Sequence, residues 1–143
     1  FSKPEVEYEI SNCLNMPLKK IMPQPFVKEK DLKISDKHIY PPIEEWLEGF
    51  ISSEFIVTDS FHGTIFSILF NKQFITVGNK ERGMSRFESI ISLFGLEDRL
   101  VLNKKDLKKT LNKKINYDLV NTKLEKWREH SLLFLKNSLN NES

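Results

Sequence analysis

The residues with the greatest chemical capacity in this chain are Asp59, Ser60, His62, Gly63 and Thr64, within the run Val57-Thr58-Asp59-Ser60-Phe61-His62-Gly63-Thr64. An apolar β-type run ends here and a helix begins, and the carboxyl ends of strands are where an open α/β sheet keeps its ligands. A helix start offers unbonded N–H groups and the positive end of the backbone dipole, so the amides of Gly63 and Thr64 are ready to receive an anion. His62 beside that anion can donate to it, or act as acid and base near neutral pH. Its plainer role is that of a helix-start histidine bonded to a neighbouring carbonyl. Asp59 either caps the helix or orients His62 or a sugar hydroxyl, and Ser60 either caps or adds a hydrogen bond to a bound phosphate. Asp59 and His62 supply only two local metal ligands, with no third at a familiar spacing, so a metal site is disfavoured.

Arg82 and Arg86 are the partners expected for a doubly anionic ligand, because a guanidinium pairs with phosphate or carboxylate through two hydrogen bonds. Lys72 and Lys80 carry the charge without the fork. His38 falls in a connecting loop and His130 in the polar part of the last helix, where surface roles are favoured.

The elements that must position these groups follow from hydropathic period. Phe55-Ile56-Val57 reads as a short buried strand and Ile65–Phe70 as a helix apolar nearly all round. Asn71-Lys72 makes a break, and Gln73–Val77 returns as a strand. Such a β-α-β unit is right-handed and builds a parallel sheet, which places the loops after Val57 and Val77 on one sheet edge. The second loop, Gly78-Asn79-Lys80-Glu81-Arg82-Gly83-Met84, leads into Ser85-Arg86-Phe87-Glu88, which has capping-box spacing, so a helix is predicted to start near Ser85. Phe87, Ile90, Ile91 and Phe94 form its buried stripe, and Gly95 its stop. Leu100-Val101 reads as a last short strand. A lysine-rich link follows, then a closing helix with Tyr117, Val120, Leu124, Trp127 and Phe134 in line.

Upstream, Pro42, Glu44 and Glu45 mark a helix start, and Ile43, Trp46, Leu47, Phe50 and Ile51 the face that packs it on a sheet. Ser2, Pro4 and Glu5 resemble another start, with Val6, Ile10, Cys13 and Leu14 at helical spacing. Val6, Tyr8 and Ile10 also alternate, which leaves a strand as the competing reading. Leu18–Met22 is expected to be a strand, Pro23–Ser35 a surface loop, and Asn140–Ser143 a frayed tail.

With 143 residues the chain is long enough for a single core. Its charge of +2 balances 22 basic against 20 acidic side chains, so nothing in the charge calls for a nucleic acid. The basic excess is local: Lys104, Lys105, Lys108, Lys109, Lys113 and Lys114 read first as a solvated helix face, with a peripheral membrane or partner contact as the alternative. Cys13, the single cysteine, excludes an internal disulfide and a cysteine-based zinc site. No apolar segment approaches the ~20 residues of a spanning helix, and cytoplasmic residence is expected. Phe1 is not an initiator Met, and the expectation is a chain cut from a longer polypeptide.

Tyr40-Pro41-Pro42-Ile43-Glu44-Glu45-Trp46-Leu47, the run from Val57 to Thr64, Arg82-Gly83-Met84-Ser85-Arg86-Phe87, and Gly95-Leu96-Glu97-Asp98-Arg99-Leu100 occur in this order. Together they resemble the polysaccharide pyruvyl transferase family. The resemblance implies an α/β, Rossmann-like parallel sheet with flanking helices, the C-terminal half of a GT-B-like two-domain fold, here residues 1–139. The N-terminal half would be absent and the piece inactive alone. It also implies transfer of a pyruvyl group from phosphoenolpyruvate to hydroxyls of a cell-surface sugar or lipid-linked oligosaccharide, giving a ketal and free phosphate without a cofactor. In that scheme His62 and Asp59 serve catalysis, while Ser60, Gly63, Thr64, Arg82, Ser85 and Arg86 bind the donor. Ser60 departs from the family, many members of which carry an arginine there. The rival readings are a sugar-nucleotide glycosyltransferase of the same architecture, whose donor also presents phosphates to a helix start, and a non-catalytic glycan-binding domain.

Overall fold

Alternation along one strand organises this protein. In the computed structural model, which describes residues 3–19, 21, 42–78 and 83–140, strand β2 (Gln73–Val77) turns Phe74 and Thr76 to one side and Ile75 and Val77 to the other. Phe74 joins Ile68, Ile91, Phe94, Leu96, Ile115 and Val120 in one apolar cluster, and Ile75 and Val77 join Val6, Ile10, Val101 and Leu107 in another. Phe74 and Ile75 are fully buried, and each such side chain contributes about 1.5–3 kcal/mol of burial free energy. Strand β2 is thus apolar on both faces, as a strand covered by helices on both sides must be.

The described sheet is parallel, in the order β1 (Phe55–Thr58), β2, β3 (Leu100–Val101). Thr58 pairs with Thr76, and Val77 with Val101. Helix α3 (Phe61–Leu69) connects β1 to β2, and α4 (Met84–Phe94) with the 3₁₀ turn Glu97–Arg99 lies between β2 and β3. These helices share their side of the sheet with the start of α6 (Tyr117–Asn140), while α1 (Lys3–Leu14) and α5 (Lys104–Leu111) cover the other. The predicted β-α-β unit and α/β class are therefore present, and Gly95 stops α4 in the left-handed conformation at φ 70°.

The helix read at Val6, Ile10 and Leu14 is present and its strand alternative is not: Val6 and Ile10 are buried one turn apart while Tyr8 is 73% exposed. Other expectations are corrected. Cys13, expected on the inner stripe, is exposed. Leu18, Lys19 and Ile21 lie outside any strand, Lys20 and Met22 fall outside the described residues, and so does the Pro23–Ser35 segment. The lysine-rich link is helix α5, capped by Asn103, whose Oδ1 accepts from the amides of Lys105 (3.0 Å) and Asp106 (3.2 Å). Its lysines are exposed, as a solvated face requires. Asn140 is the last helical residue of α6, and the other residues of the expected tail lie outside the described residues.

Helix α2 (Ile43–Ser52) makes its ring contacts with α3: Trp46 meets Phe66 edge-on at 5.0 Å, and Phe50 lies 5.8 Å from Phe66 and 6.2 Å from Phe70. Ile51, about 100° round the helix from Phe50, is left exposed, as is Ile43 in the first turn. Leu69 of α3 also faces outward. On α6 the predicted stripe is buried only at its start. A helix of 24 residues spans ~36 Å, whereas a five-residue strand spans ~17 Å. Trp127 and Phe134 therefore lie exposed, beyond the part of α6 that packs on the core.

Polar ties fix the start of α6. Gln73 pairs with the Ile115 backbone in both directions, accepting at 2.9 Å and donating at 3.3 Å. The Tyr117 hydroxyl donates to the carbonyls of Ser67 (3.2 Å) and Lys72. Burial raises the Tyr117 pKa above its ordinary value of 10.0, and the nearby Arg99 charge lowers it in part. Because the folded-state value lies above the unfolded one, the stability gained from the neutral phenol is complete below pH ~10 and lost as pH rises further. Tyr117→Phe should cost about 1–2 kcal/mol at pH 7. It should also remove that alkaline decline, which urea titrations at neutral and alkaline pH would check.

Candidate functional site

The turn from β1 into α3 is built from short polar side chains that satisfy one another. Thr58 Oγ1 at the end of β1 accepts from the Ser60 amide at 3.1 Å. Ser60, extended at φ −104° and ψ 136°, is the N-cap of α3, and its Oγ accepts from Gly63 N at 3.4 Å. The Ser60 carbonyl accepts from Thr64 N (3.0 Å) and Thr64 Oγ1 (3.1 Å). That hydroxyl also meets Thr76 Oγ1 of β2 at 2.9 Å. Thr58, Thr64, Ser67 and Thr76 are all buried, so the contact between α3 and the sheet is partly a polar seam.

This arrangement assigns the local residues differently from the sequence reading. The Gly63 and Thr64 amides have acceptors within the turn, and the Thr64 side chain faces inward. Of the helix-start amides, those of the first two helical residues, Phe61 and His62, have no acceptor among the described residues. Ser60 is a cap, which leaves its oxygen room for a further partner. Asp59, directly before the cap, and His62 are both exposed.

Gly63 has a steric reason of its own. A Cβ there would lie 2.1 Å from Thr58 Oγ1 and 3.0 Å from Thr58 Cβ. Helix α3 approaches β1 so closely that even a methyl group must displace the strand's last residue. Gly63→Ala should cost about 2–3 kcal/mol in thermal unfolding, a larger effect than an exposed helix glycine would show.

Arg86 comes to this turn from α4. Its Cζ lies 5.6 Å from the centroid of the Phe61 ring, within cation–π range. Phe61 in turn meets Phe87 edge-on at 6.1 Å and His62 at 5.8 Å. The structure thus joins Asp59, Ser60, His62 and Arg86 at one sheet edge. Arg82 and Lys80 lie outside the described residues, as does His38. Lys72 is at the other end of α3, where its Nζ donates to the Ile51 carbonyl at 2.7 Å. His130 is exposed on α6 beside Trp127.

Ser85 is not the cap of α4. That helix begins at Met84 after Gly83, which is left-handed at φ 59°, and Ser85 is an exposed second helical residue. The left-handed turn, which glycine enters at little cost, replaces the expected capping box. Phe61 is not among the predicted site residues, yet its ring neighbours both Arg86 and His62. Its sequence signal is an aromatic side chain at the first position of a helix.

Among the described residues no three His, Cys, Asp or Glu side chains are grouped to hold a metal ion, and no helix is long and apolar enough to cross a membrane. No curated protein and no solved structure matches the chain. A family model does: polysaccharide pyruvyl transferase, over residues 2–81. The match takes in α1, α2, the β1–α3 turn and β2, and ends before Arg82, so the segments from Arg82 to Phe87 and Gly95 to Leu100 lie outside it. It spans more than half of the 143 residues and includes the whole turn that carries Asp59, Ser60 and His62. The chain therefore belongs to the polysaccharide pyruvyl transferase family.

Proposed function

We propose that this protein transfers a pyruvyl group from phosphoenolpyruvate to two hydroxyls of a sugar in a polysaccharide or lipid-linked oligosaccharide, forming a ketal and releasing phosphate. The observation that carries this reading is the placement of Arg86 and His62 at the amide-donating start of α3, within a chain of this family. The donor carries a phosphate and a carboxylate. The free amides of Phe61 and His62 suit one anionic group, and the guanidinium of Arg86 suits either.

The reaction needs one protonation and two additions. A proton delivered to the donor's methylene carbon turns it into a methyl group and leaves positive charge at the adjacent carbon. A sugar hydroxyl attacks that carbon and releases its proton. Phosphate then departs with the electrons of its C–O bond, and a second hydroxyl adds and loses its proton, closing the ketal. His62, exposed on the first turn of α3, is the group assigned to proton transfer or to holding the phosphate. Asp59 orients it or an acceptor hydroxyl. Ser60, capping α3 where many family members carry an arginine, transfers the burden of anion binding to Arg86 and Arg82. Ser85 would lie at the rim of the donor site.

In this reading the chain is the C-terminal, Rossmann-like half of a GT-B-like enzyme working in the cytoplasm, with the acceptor held between it and an N-terminal half. The exposed lysines of α5 would serve any peripheral contact with a membrane. Titration of the isotope-labelled chain with phosphoenolpyruvate and, separately, UDP checks the donor. Saturable shifts at Ser60–Thr64 and Arg86 with phosphoenolpyruvate alone are expected. A preference for UDP would instead assign the site to a sugar-nucleotide donor.

A further inference from the structure

Phe61 occupies a position with no evident need for a large aromatic ring. It is the first residue of α3, only partly buried, and belongs to neither apolar cluster. Its ring is nevertheless surrounded by groups from two elements. Arg86 of α4 places its guanidinium carbon 5.6 Å from the ring centroid, Phe87 of the same helix presents an edge at 6.1 Å, and His62 presents its ring at 5.8 Å. Phe87 is itself buried at 6% exposure, so one side of Phe61 rests on a fixed wall. A side chain so placed has little freedom and can restrict its neighbours.

The neighbour that needs restriction is Arg86. It is exposed, and no ion pair to it is present among the described residues. A long flexible arginine in water loses rotamer entropy when it closes on an anion. A guanidinium already laid along an aromatic ring has lost part of that freedom before the ligand arrives, and its in-plane N–H groups remain available. The ring that holds it also belongs to the residue whose amide heads α3.

We propose that Phe61 is a positioning residue for donor binding, holding Arg86 against the start of α3 so that guanidinium and helix-start amides act on one anion together. The proposal rests on the donor reading above and adds a residue to it. Phe61 acts through Arg86 and bonds to no ligand atom through its side chain.

The test uses four variants of the isotope-labelled chain, F61L, F61Y, R86A and F61L/R86A, titrated with phosphoenolpyruvate and followed at the Arg86 Nε–Hε signal where present and at the amides of residues 60–64. Before ligand is added, the Arg86 Hε resonance should lie upfield through the Phe61 ring current and return downfield in F61L. F61L should weaken binding about fivefold, the upper value for an exposed cation–π contact, while F61Y, which keeps the ring face, should stay within about twofold of the wild type. In the R86A background, F61L should add nothing further, which a general loosening of the fold would not reproduce. Wild-type affinity in F61L, or an equal loss with and without Arg86, overturns the role of Phe61 and leaves the donor reading standing. Wild-type affinity in R86A, or no shift with the wild-type chain, overturns the donor reading and the proposal with it.

Discussion

On the pyruvyl transfer proposed above, His62→Ala should lower phosphate release from phosphoenolpyruvate by about 10²–10⁴-fold, the range of a positioned acid or base. Its fold should be unchanged. The imidazole is exposed on the second residue of α3, and its ring contact is with Phe61 at 5.8 Å. Exposed substitutions away from caps and buried networks usually stay within about 0.5 kcal/mol, so a lost activity would not be a lost structure. His62→Gln separates the two assignments. The amide can hydrogen-bond a phosphate oxygen but cannot move a proton, so a rise in KM repaired by Gln indicates anion holding. A low kcat that Gln does not repair indicates proton transfer. Steady-state phosphate release with a panel of sugar acceptors is the measurement, and near-normal turnover in His62→Ala would remove His62 from the mechanism.

The largest effect on stability is expected at Arg99. Its side chain is 2% exposed, and its guanidinium donates to the Thr110 carbonyl at 3.4 Å, the Lys113 carbonyl at 2.8 Å and Asp98 Oδ1 at 3.2 Å. Thr110 and Lys113 lie at and just beyond the end of α5, where carbonyls lack intrahelical donors and the helix dipole is negative. Thr110 Oγ1 reciprocates by donating to the Asp98 carbonyl at 2.8 Å. A single cation therefore joins the turn before β3 to the end of α5. Arg99→Met preserves much of the apolar stem but removes the donor of both carbonyls, that of Thr110 being buried, at about 3–5 kcal/mol. A loss on the order of 10 °C in thermal midpoint is expected. Arg99→Lys keeps the charge but not the fork and should fall between the two. A midpoint within a degree or two of wild type in Arg99→Met would show that the network is not needed.

Arg99 also illustrates what was legible in the chain. It lies within Gly95–Leu100, where nothing local distinguishes a buried arginine from an exposed one. Beside its neighbour Asp98, its partners are carbonyls 11 and 14 residues away, and carbonyls carry no residue signature. The same holds for Gly63, whose steric neighbour is Thr58 of the adjacent strand, while its place at a helix start points in sequence to anion binding. Residues whose partners lie within one turn fared better: Gly95 ends α4, and Ser60 was weighed as a cap and is one. Ser85 and Glu88 show the limit of local spacing, since they satisfy the capping-box pattern while Gly83 performs the turn.

The sequence by itself determined the β-α-β unit, its parallel strands and the sheet edge at which Asp59, Ser60 and His62 gather. Hydropathic period and helix-start chemistry are properties of neighbours along the chain, so they survive without coordinates. Tertiary structure alone decided that α3 approaches β1 too closely for a Cβ at Gly63, that Arg86 reaches α3 across the Phe61 ring, and that α6 leaves Trp127 and Phe134 exposed. Each of these depends on where one element ends relative to another. Because folding couples such distances through packing of the whole domain, a pattern within one segment identifies which face is apolar but not how much of that face the rest of the molecule covers.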